Sequence, residues 1–200
     1  PANLVGWWPG DGSATNVFGT NNGTLQGGAT ATAVGMVGSA FSFDGTNGFV
    51  QIPDSPVFRP TNLTIEAWVK FNSLDSKTTG AAQGHQYIVF KQNSSSSNFE
   101  GFGLGKDRLP EINPNGDVLY FNVSSAAGVM VEVDSVTTVQ TGAWYHVAAV
   151  RGSNYLQLYV NGQLEVQASV SFTQDYGTFP LFFGTSGQSY WDGKMSGSLD

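Results

Sequence analysis

Apolar and polar residues alternate along most of this chain. In LTIEAWVKF, Leu63, Ile65, Ala67, Val69 and Phe71 fall on one side, and Thr64, Glu66, Trp68 and Lys70 on the other. A period of two belongs to a β-strand whose faces meet different surroundings, so the first set predicts a buried face. VLYFNV, VMVEVD, YLQLYV and LEVQASV read the same way and are rich in β-branched and aromatic residues. In VMVEVD the inward set is Val129, Val131 and Val133. In AWYHVAAV, His146 shares a face with Trp144, Ala148 and Val150. Strands are expected over 63–71, 143–151 and 154–160. Helical periodicity is missing from every window of a dozen residues, so at most a turn or two of helix is expected. Gly, Asn and Ser clusters break the pattern at short intervals, and QNSSSSN at 92–98 reads as a loop. No repeat and no linker divides the chain. The pattern predicts an all-β fold, a two-sheet antiparallel jelly-roll sandwich, with residues 1–200 forming one domain.

Parity sharpens one hairpin and complicates the N-terminus. In YLQLYVNGQLEVQA an even loop at Asn161-Gly162 sets Leu158 against Glu165. An odd loop, Val160-Asn161-Gly162, pairs Leu158 with Leu164 and Leu156 with Val166, with Gly162 left-handed in a bulge. That register turns Glu165 outward with Tyr155, Gln157, Tyr159 and Gln163. In GWWPGDG, adjacent Trp7 and Trp8 cannot share one face of a strand. The expectation is a first strand buried on both sides, one indole between the sheets and the other under a long loop.

Composition narrows the partners. Charged residues are only 12% of the chain and aromatics 13%, so Asn, Ser, Thr, Gln and Gly must cover the surface, as is common in secreted and cell-surface β proteins. A net charge of −7 without a basic run argues against nucleic acid and anionic membrane as partners. No run approaches the ~18 apolar residues of a membrane helix, so membrane insertion is not expected. Cysteine is absent, which excludes disulfide staples and thiolate zinc sites. Glycosylation sequons stand at Asn22, Asn62, Asn93 and Asn122. The expected location is secreted or at the cell surface.

Catalytic chemistry finds little support. No Ser sits in a G-x-S-x-G elbow, His146 reads as a hydrogen-bonded structural residue, and His85 as a solvated loop residue. Sandwich glucanases carry E-x-D-x-E or E-x-D-x-x-E on one strand, with two carboxylates flanking the scissile bond. EVDSVT offers Glu132 and Asp134, but Val136 and Thr137 stand where the third acid belongs. GFGLG precedes no helix and is no phosphate loop. The turns DGSATN and FDGTNG hold oxygen donors of the kind Ca²⁺ accepts.

The order of motifs resembles a known family. LVGWWPGDG, NNGTLQGG, AFSFDGTNGFVQIPDSP, LTIEAWVKF, GAWYHVAAVRGSNYLQLYVNG and GKMSGSLD together are similar to laminin-G-like jelly rolls of the concanavalin A-like lectin/glucanase superfamily. The resemblance covers nearly the whole chain, with 72–135 its loosest part. It implies two curved antiparallel sheets, an opening strand near the closing one, and a module of a longer secreted or surface protein that binds glycans or proteins without catalysis. It also implies one structural Ca²⁺, with Asp11, Asp44 and Asp200 at the matching positions and Asn16 where relatives carry a second Asp. If opening and closing strands are neighbours, these side chains are expected to converge. Family members usually continue past the last Asp with an apolar strand, whereas this sequence stops at Asp200.

Glycans are held by flat aromatics and polar side chains around them. SYWDG supplies Tyr190, Trp191 and Asp192, FTQDYGTF supplies Tyr176 with Gln174 and Asp175, and GKDRLPEINPNGD supplies Arg108 and Asn113. These point to a carbohydrate-binding, lectin-like module. The alternative is a protein–protein adhesion or surface-assembly domain that uses an open sheet edge at the closing strand. A glycoside hydrolase ranks below both.

Overall fold

A computed structural model of the protein describes residues 3–77, 84–93, 96–108, 116–188 and 192–200. Its strands, in chain order, are β1 (Thr24–Gln26), β2 (Thr30–Val34), β3 (Ser39–Asp44), β4 (Phe49–Ile52), β5 (Leu63–Phe71), β6 (Gln86–Gln92) and β7 (Gly101–Asp107). They continue with β8 (Asp117–Ser124), β9 (Met130–Val139), β10 (Trp144–Arg151), β11 (Tyr155–Val160), β12 (Gln163–Ser169), β13 (Leu181–Phe183) and β14 (Ser196–Leu199). Helix among the described residues amounts to one 3₁₀ turn, Pro56–Phe58.

The strands form two seven-stranded antiparallel sheets. Sheet A runs β1-β4-β13-β6-β7-β8-β9, and sheet B runs β12-β11-β10-β5-β14-β3-β2. The expected all-β sandwich is the observed one. Alternation decides what lies between the sheets. Val69 and Phe71 are fully buried, and Leu63, Ile65 and Ala67 pack against the same cluster. Sheet A contributes Ile88, Phe102, Leu104, Leu119, Phe121, Val123 and Val133. At ~25 cal/mol per Å² of buried apolar surface, these rows supply the main favourable term of folding. Val131 and Val133 face inward as the pattern implied. Val129 precedes β9 and is half exposed instead.

The β11–β12 hairpin resolves its parity differently from the expectation. Asn161 (φ 51°) and Gly162 (φ 79°) form a two-residue turn with Val160 opposite Gln163. Two successive positive φ values belong to the turn type whose twist matches flanking strands. The odd residue appears as a bulge: Tyr159 faces Leu164 while Leu158 already faces Val166. Leu158 keeps an apolar partner, Leu164 moves to the outside, and Glu165 is the extra residue. Its carboxylate accepts the backbone N–H groups of Val136 and Thr137 at 2.8 and 2.9 Å. Glu165 therefore ties the edge strand of sheet B to that of sheet A.

The N-terminal stretch departs from the expectation as well. Residues 4–10 form no ladder strand. Trp8 packs on Phe58 and Phe183, with ring centroids 5.9 and 5.5 Å away, and donates from Nε1 to the Asn21 carbonyl at 3.1 Å. Trp7 is 59% exposed, so no loop covers it. Without a strand, backbone pairing does not force the two indoles onto opposite buried faces. The closing strand β14 lies between β5 and β3 and is no open edge.

Candidate functional site

The outer face of sheet A gathers the chemistry. Its floor is set by GFGLG, whose glycines 101, 103 and 105 alternate along β7 and leave that stretch of the face without side chains. A Cβ on Gly105 would stand 2.5 Å from the Tyr120 ring, and one on Gly103 would stand 3.0 Å from Asn122 Oδ1. Neighbours from β6 and β8 thus close over β7. This alternation is the signal that sequence reading passed over when it treated the stretch only as a failed phosphate loop.

Two networks share the face. At one end, the His85 ring lies between Asp107 and Tyr120: Nδ1 is 3.1 Å from Asp107 Oδ2, and Nε2 is 3.2 Å from the Tyr120 hydroxyl. His85 is thus a half-buried member of a network, not the solvated residue expected. Tyr87 meets the same ring edge-on at 4.5 Å. Further along, Gln92 donates to Asn122 Oδ1 at 3.0 Å, and Asn122 donates to Glu132 Oε2 at 2.9 Å. Beside this line, Tyr87, Phe90, Gln92, Phe99 and Gln188 enclose a depression of about 260 Å³.

The electrostatics follow from burial. Burial, with Glu132 and Asp107 nearby, lifts the Asp134 carboxyl to about 6. Burial and the neighbouring Asp192, Asp107 and Glu132 carboxylates push the Tyr87 phenol up. Burial likewise raises Tyr120, with Tyr87, Glu132, Asp107 and Asp134 adding to it. Desolvation opposes ionisation of Asp107, but the His85 hydrogen bond and charge outweigh it and hold that carboxyl low.

Glu132 and Asp134 share this face, as glucanase carboxylates would. The strand then changes course. Tyr120 pairs with Asp134 and Val118 with Thr138, so three residues of β9 bulge opposite Leu119. Ser135 turns in, its hydroxyl accepting the Leu119 N–H at 2.9 Å, and Val136 and Thr137 are held by Glu165. The positions for a third acid are thereby turned away from the first two.

Of the residues expected around a glycan, Tyr190, Trp191 and Asn113 lie outside the described residues. The others are committed internally. Asp192 is buried and accepts from the Thr185 hydroxyl, the Ser186 N–H and the Lys194 ammonium. Tyr176 donates to the Pro60 carbonyl at 2.8 Å and rests on Phe102. Arg108 reaches Asp75 at 2.9 Å and Asp117 at 3.2 Å. Gln174 donates into the backbone at Gly101 and Ser124, and Asp175 accepts the Ala126 N–H.

The expected calcium ligands do not all converge: Asp11 and Asp200 bond to the turn at 37–39, and Asp44 to its own turn at 46–48. β14 pairs with β3 so that Ser196 faces Asp44 and Leu199 faces Phe41. Asp200, four residues beyond Ser196, is thus roughly 13 Å along the strand from Asp44 at ~3.3 Å per residue. Asp44 caps its own turn, taking the N–H groups of Thr46, Asn47 and Gly48 at 2.9, 3.0 and 2.9 Å. Desolvation opposes ionisation there, but those bonds and the Thr46 hydroxyl hold its carboxyl far below the usual range. Asp11 accepts the Ser39 N–H at 2.7 Å, and Asp200 accepts the Val37 N–H at 2.9 Å. Asn16 is buried and accepts from the N–H groups of Trp7 and Phe18. Among the described residues, no group of three or more His, Cys, Asp or Glu is placed to hold a metal ion. This donor set does not fit one shared cation.

Comparison with known proteins places the fold. A family profile described as the concanavalin A-like lectin/glucanases superfamily matches residues 44–198. The chain belongs to this superfamily. A search of curated proteins finds no match. Among solved structures, the chain is similar to domain 4 of an extracellular arabinanase from Geobacillus stearothermophilus, solved with arabinotriose. The TM-score is 0.65 at 17% identity, over 96% of this chain and 85% of that one. It is also similar to a sialidase carbohydrate-binding module from Ruminococcus gnavus bound to sialyllactose, with TM-score 0.55, 16% identity, and 72% and 74% coverage. The receptor-binding domain of botulinum neurotoxin D matches with TM-score 0.60 and 14% identity, over 92% of this chain and 45% of that chain. Carbohydrate-binding modules are thus among the neighbours of this superfamily member. Among the described residues, no helix is long and apolar enough to cross a membrane.

Proposed function

We propose that this chain is a non-catalytic carbohydrate-binding module of an extracellular protein, with its glycan on the outer face of sheet A. The observation that carries this is the depression walled by Tyr87, Phe90 and Phe99 beside the Gln92–Asn122–Glu132 line. Ring faces suit the C–H face of a sugar, and a fixed row of amide and carboxylate groups suits its hydroxyls. The bulge after Asp134 supports a binding role over hydrolysis. The test is a glycan array on the chain beside Tyr87→Ala and Phe99→Ala variants. The expected result is retention of at least one glycan class, weakened tenfold or more in both variants. Retention unchanged by either substitution moves the site elsewhere.

A protein-binding role has one observation in its favour. Val5, Trp7, Val17 and Phe18 are 47, 59, 56 and 50% exposed. The Val17 N–H bonded to the Trp7 carbonyl at 2.9 Å holds their two segments together. An exposed apolar group of this kind marks an interaction surface. Loss of adhesion to host or matrix proteins in Trp7→Ala, with glycan retention intact, would favour that role.

A further inference from the structure

The opposite face of the sandwich carries aromatic side chains that the sheet A site does not use. Across β5 and β10, Trp68 stands opposite His146 and Lys70 opposite Trp144. The alternate positions Val69, Phe71, Tyr145 and Val147 belong to the core. The four side chains therefore project from the outer side of sheet B. Trp68 meets His146 edge-to-face at 5.1 Å, and Lys70 Nζ sits 4.8 Å from the Trp144 ring centroid. With Asn161 from the β11–β12 turn, Trp68, Trp144 and His146 line a depression of about 680 Å³.

This arrangement has the parts of a ligand platform. Trp68 and Trp144 are diagonal neighbours on one face of an antiparallel pair, which places them about 7–8 Å apart. One oligosaccharide is long enough to touch both. The negative face of an indole attracts the weakly positive C–H bonds of a sugar ring. Asn161 is fixed at the edge: its N–H donates to the His146 carbonyl at 2.8 Å, and its Oδ1 accepts the His146 N–H at 3.0 Å. Its amide NH₂ is left as a hydrogen-bond donor for a hydroxyl.

Charge selects the class of sugar. Glu66 lies one pair further along the same face, opposite Ala148, and Lys70 already rests on Trp144. No arginine lines the depression, and the chain carries a net charge of −7. An acidic sugar would be repelled at long range and would find no bidentate partner. A neutral sugar meets neither cost. We propose that the depression formed by Trp68, Trp144, His146 and Asn161 on the outer face of sheet B binds a neutral oligosaccharide, independently of the sheet A face. This goes beyond the module proposed above: with sites on opposite faces, one chain could link two glycan strands and gain avidity.

The test is NMR titration of the indole N–H signals of the whole chain, assigned with Trp68→Phe and Trp144→Phe variants. The probes are arabinotriose, xylotetraose, cellotetraose and mannotetraose, with sialyllactose as the acidic control. At least one neutral probe is expected to shift both the Trp68 and Trp144 signals. The apparent Kd should rise tenfold or more in Trp68→Ala and remain unchanged in Tyr87→Ala. A urea midpoint for each variant separates loss of binding from loss of fold, and Asn161→Asp, which replaces the amide donor with a charged acceptor while keeping the Oδ1 contact to His146, should weaken binding several-fold. Indoles unmoved by every neutral probe, or moved only by sialyllactose, overturn the proposal. If Tyr87→Ala alone abolishes binding, the sheet B proposal fails and the sheet A reading stands. If only the indole variants do, the reverse holds.

Discussion

The two outer faces of this sandwich are built from the same alternating strands and end up unlike each other. On sheet A the inner strand β7 carries glycine at outward positions 101, 103 and 105, so Tyr120 lies across it and becomes 2% exposed. Around β7 that face is then a hydrogen-bonded network, His85 with Asp107 and Tyr120, and Gln92 with Asn122 and Glu132, and its depression opens beside that network at Tyr87, Phe90 and Phe99. On sheet B the corresponding middle strands present Trp68, Lys70, Trp144 and His146. Large residues directly opposite one another cannot fold down, so they stand up and wall an open depression. Side-chain volume on the inner strands thus decides how much of a sheet face is covered by its own side chains.

The largest effect expected from breaking this contrast is at Gly105. A Cβ there meets two ring carbons and the hydroxyl oxygen of Tyr120 within 2.6 Å. Overpacking of this kind costs about 1–3 kcal/mol, and loss of the Tyr120–His85 contact adds to it. Gly105→Ala is expected to lower stability by about 3 kcal/mol in urea denaturation. A change within 0.5 kcal/mol, the usual range for a surface substitution, would show that Tyr120 does not lie across β7.

Next comes pH. Asp134 is raised from 3.8 to about 6 in the folded state, so the folded chain binds its proton more tightly than the unfolded chain. Stability from this residue is present below pH 4 and is lost as pH climbs to about 6. The shift corresponds to about 3 kcal/mol at 1.36 kcal/mol per unit, reduced to about 1–2 kcal/mol by partial solvent exposure. Asp134→Asn lacks this loss. The variant should therefore gain about 1–2 kcal/mol on the wild type between pH 4 and pH 7, read from paired urea curves. Parallel curves across that interval would mean that the carboxyl is solvated.

On sheet B the effect should be smaller. Trp144→Ala removes a half-buried ring and its cation–π contact, which contributes about 0.5–1 kcal/mol at exposed sites. A total cost near 1 kcal/mol is expected, far below the ~3–5 kcal/mol of a core aromatic. A core-sized loss would mean that the platform holds up the fold. The smallest expected signal is turnover. Hydrolysis of β-glucans should be absent in the wild type and in Glu132→Gln alike, and activity that vanishes with that substitution would restore the hydrolase reading.

Much of this was legible in the residues. Alternation identified β5, β10 and β11 and the buried side of LTIEAWVKF, because a strand with one dry face must repeat every second position. The missing third acid after Asp134 was likewise visible, although the bulge that turns Val136 and Thr137 away was not. The candidate site was read poorly. Asp192, Tyr176 and Arg108 have the composition of sugar contacts, yet each spends its polar atoms inside the protein. Tyr87, Phe90, Gln92 and Asn122 form the observed wall and polar line but looked like ordinary strand residues. Composition reports what a side chain is able to bind, not which neighbour reaches it first.

The sequence by itself determined the fold class, the two faces of most strands and the absence of disulfides, since these depend on local period and residue type. Only the tertiary structure decided which parts meet. Pairing of Ser196 with Asp44 and Leu199 with Phe41 carried Asp200 away from Asp44 and set both Asp11 and Asp200 against the backbone of residues 37–39. The bulge at Glu165, not an odd loop, kept Leu158 inside. Strand order placed β14 inside its sheet, between β5 and β3. Such outcomes turn on register between segments far apart in the chain. One residue of slip moves every side chain to the other face, and local pattern does not record it.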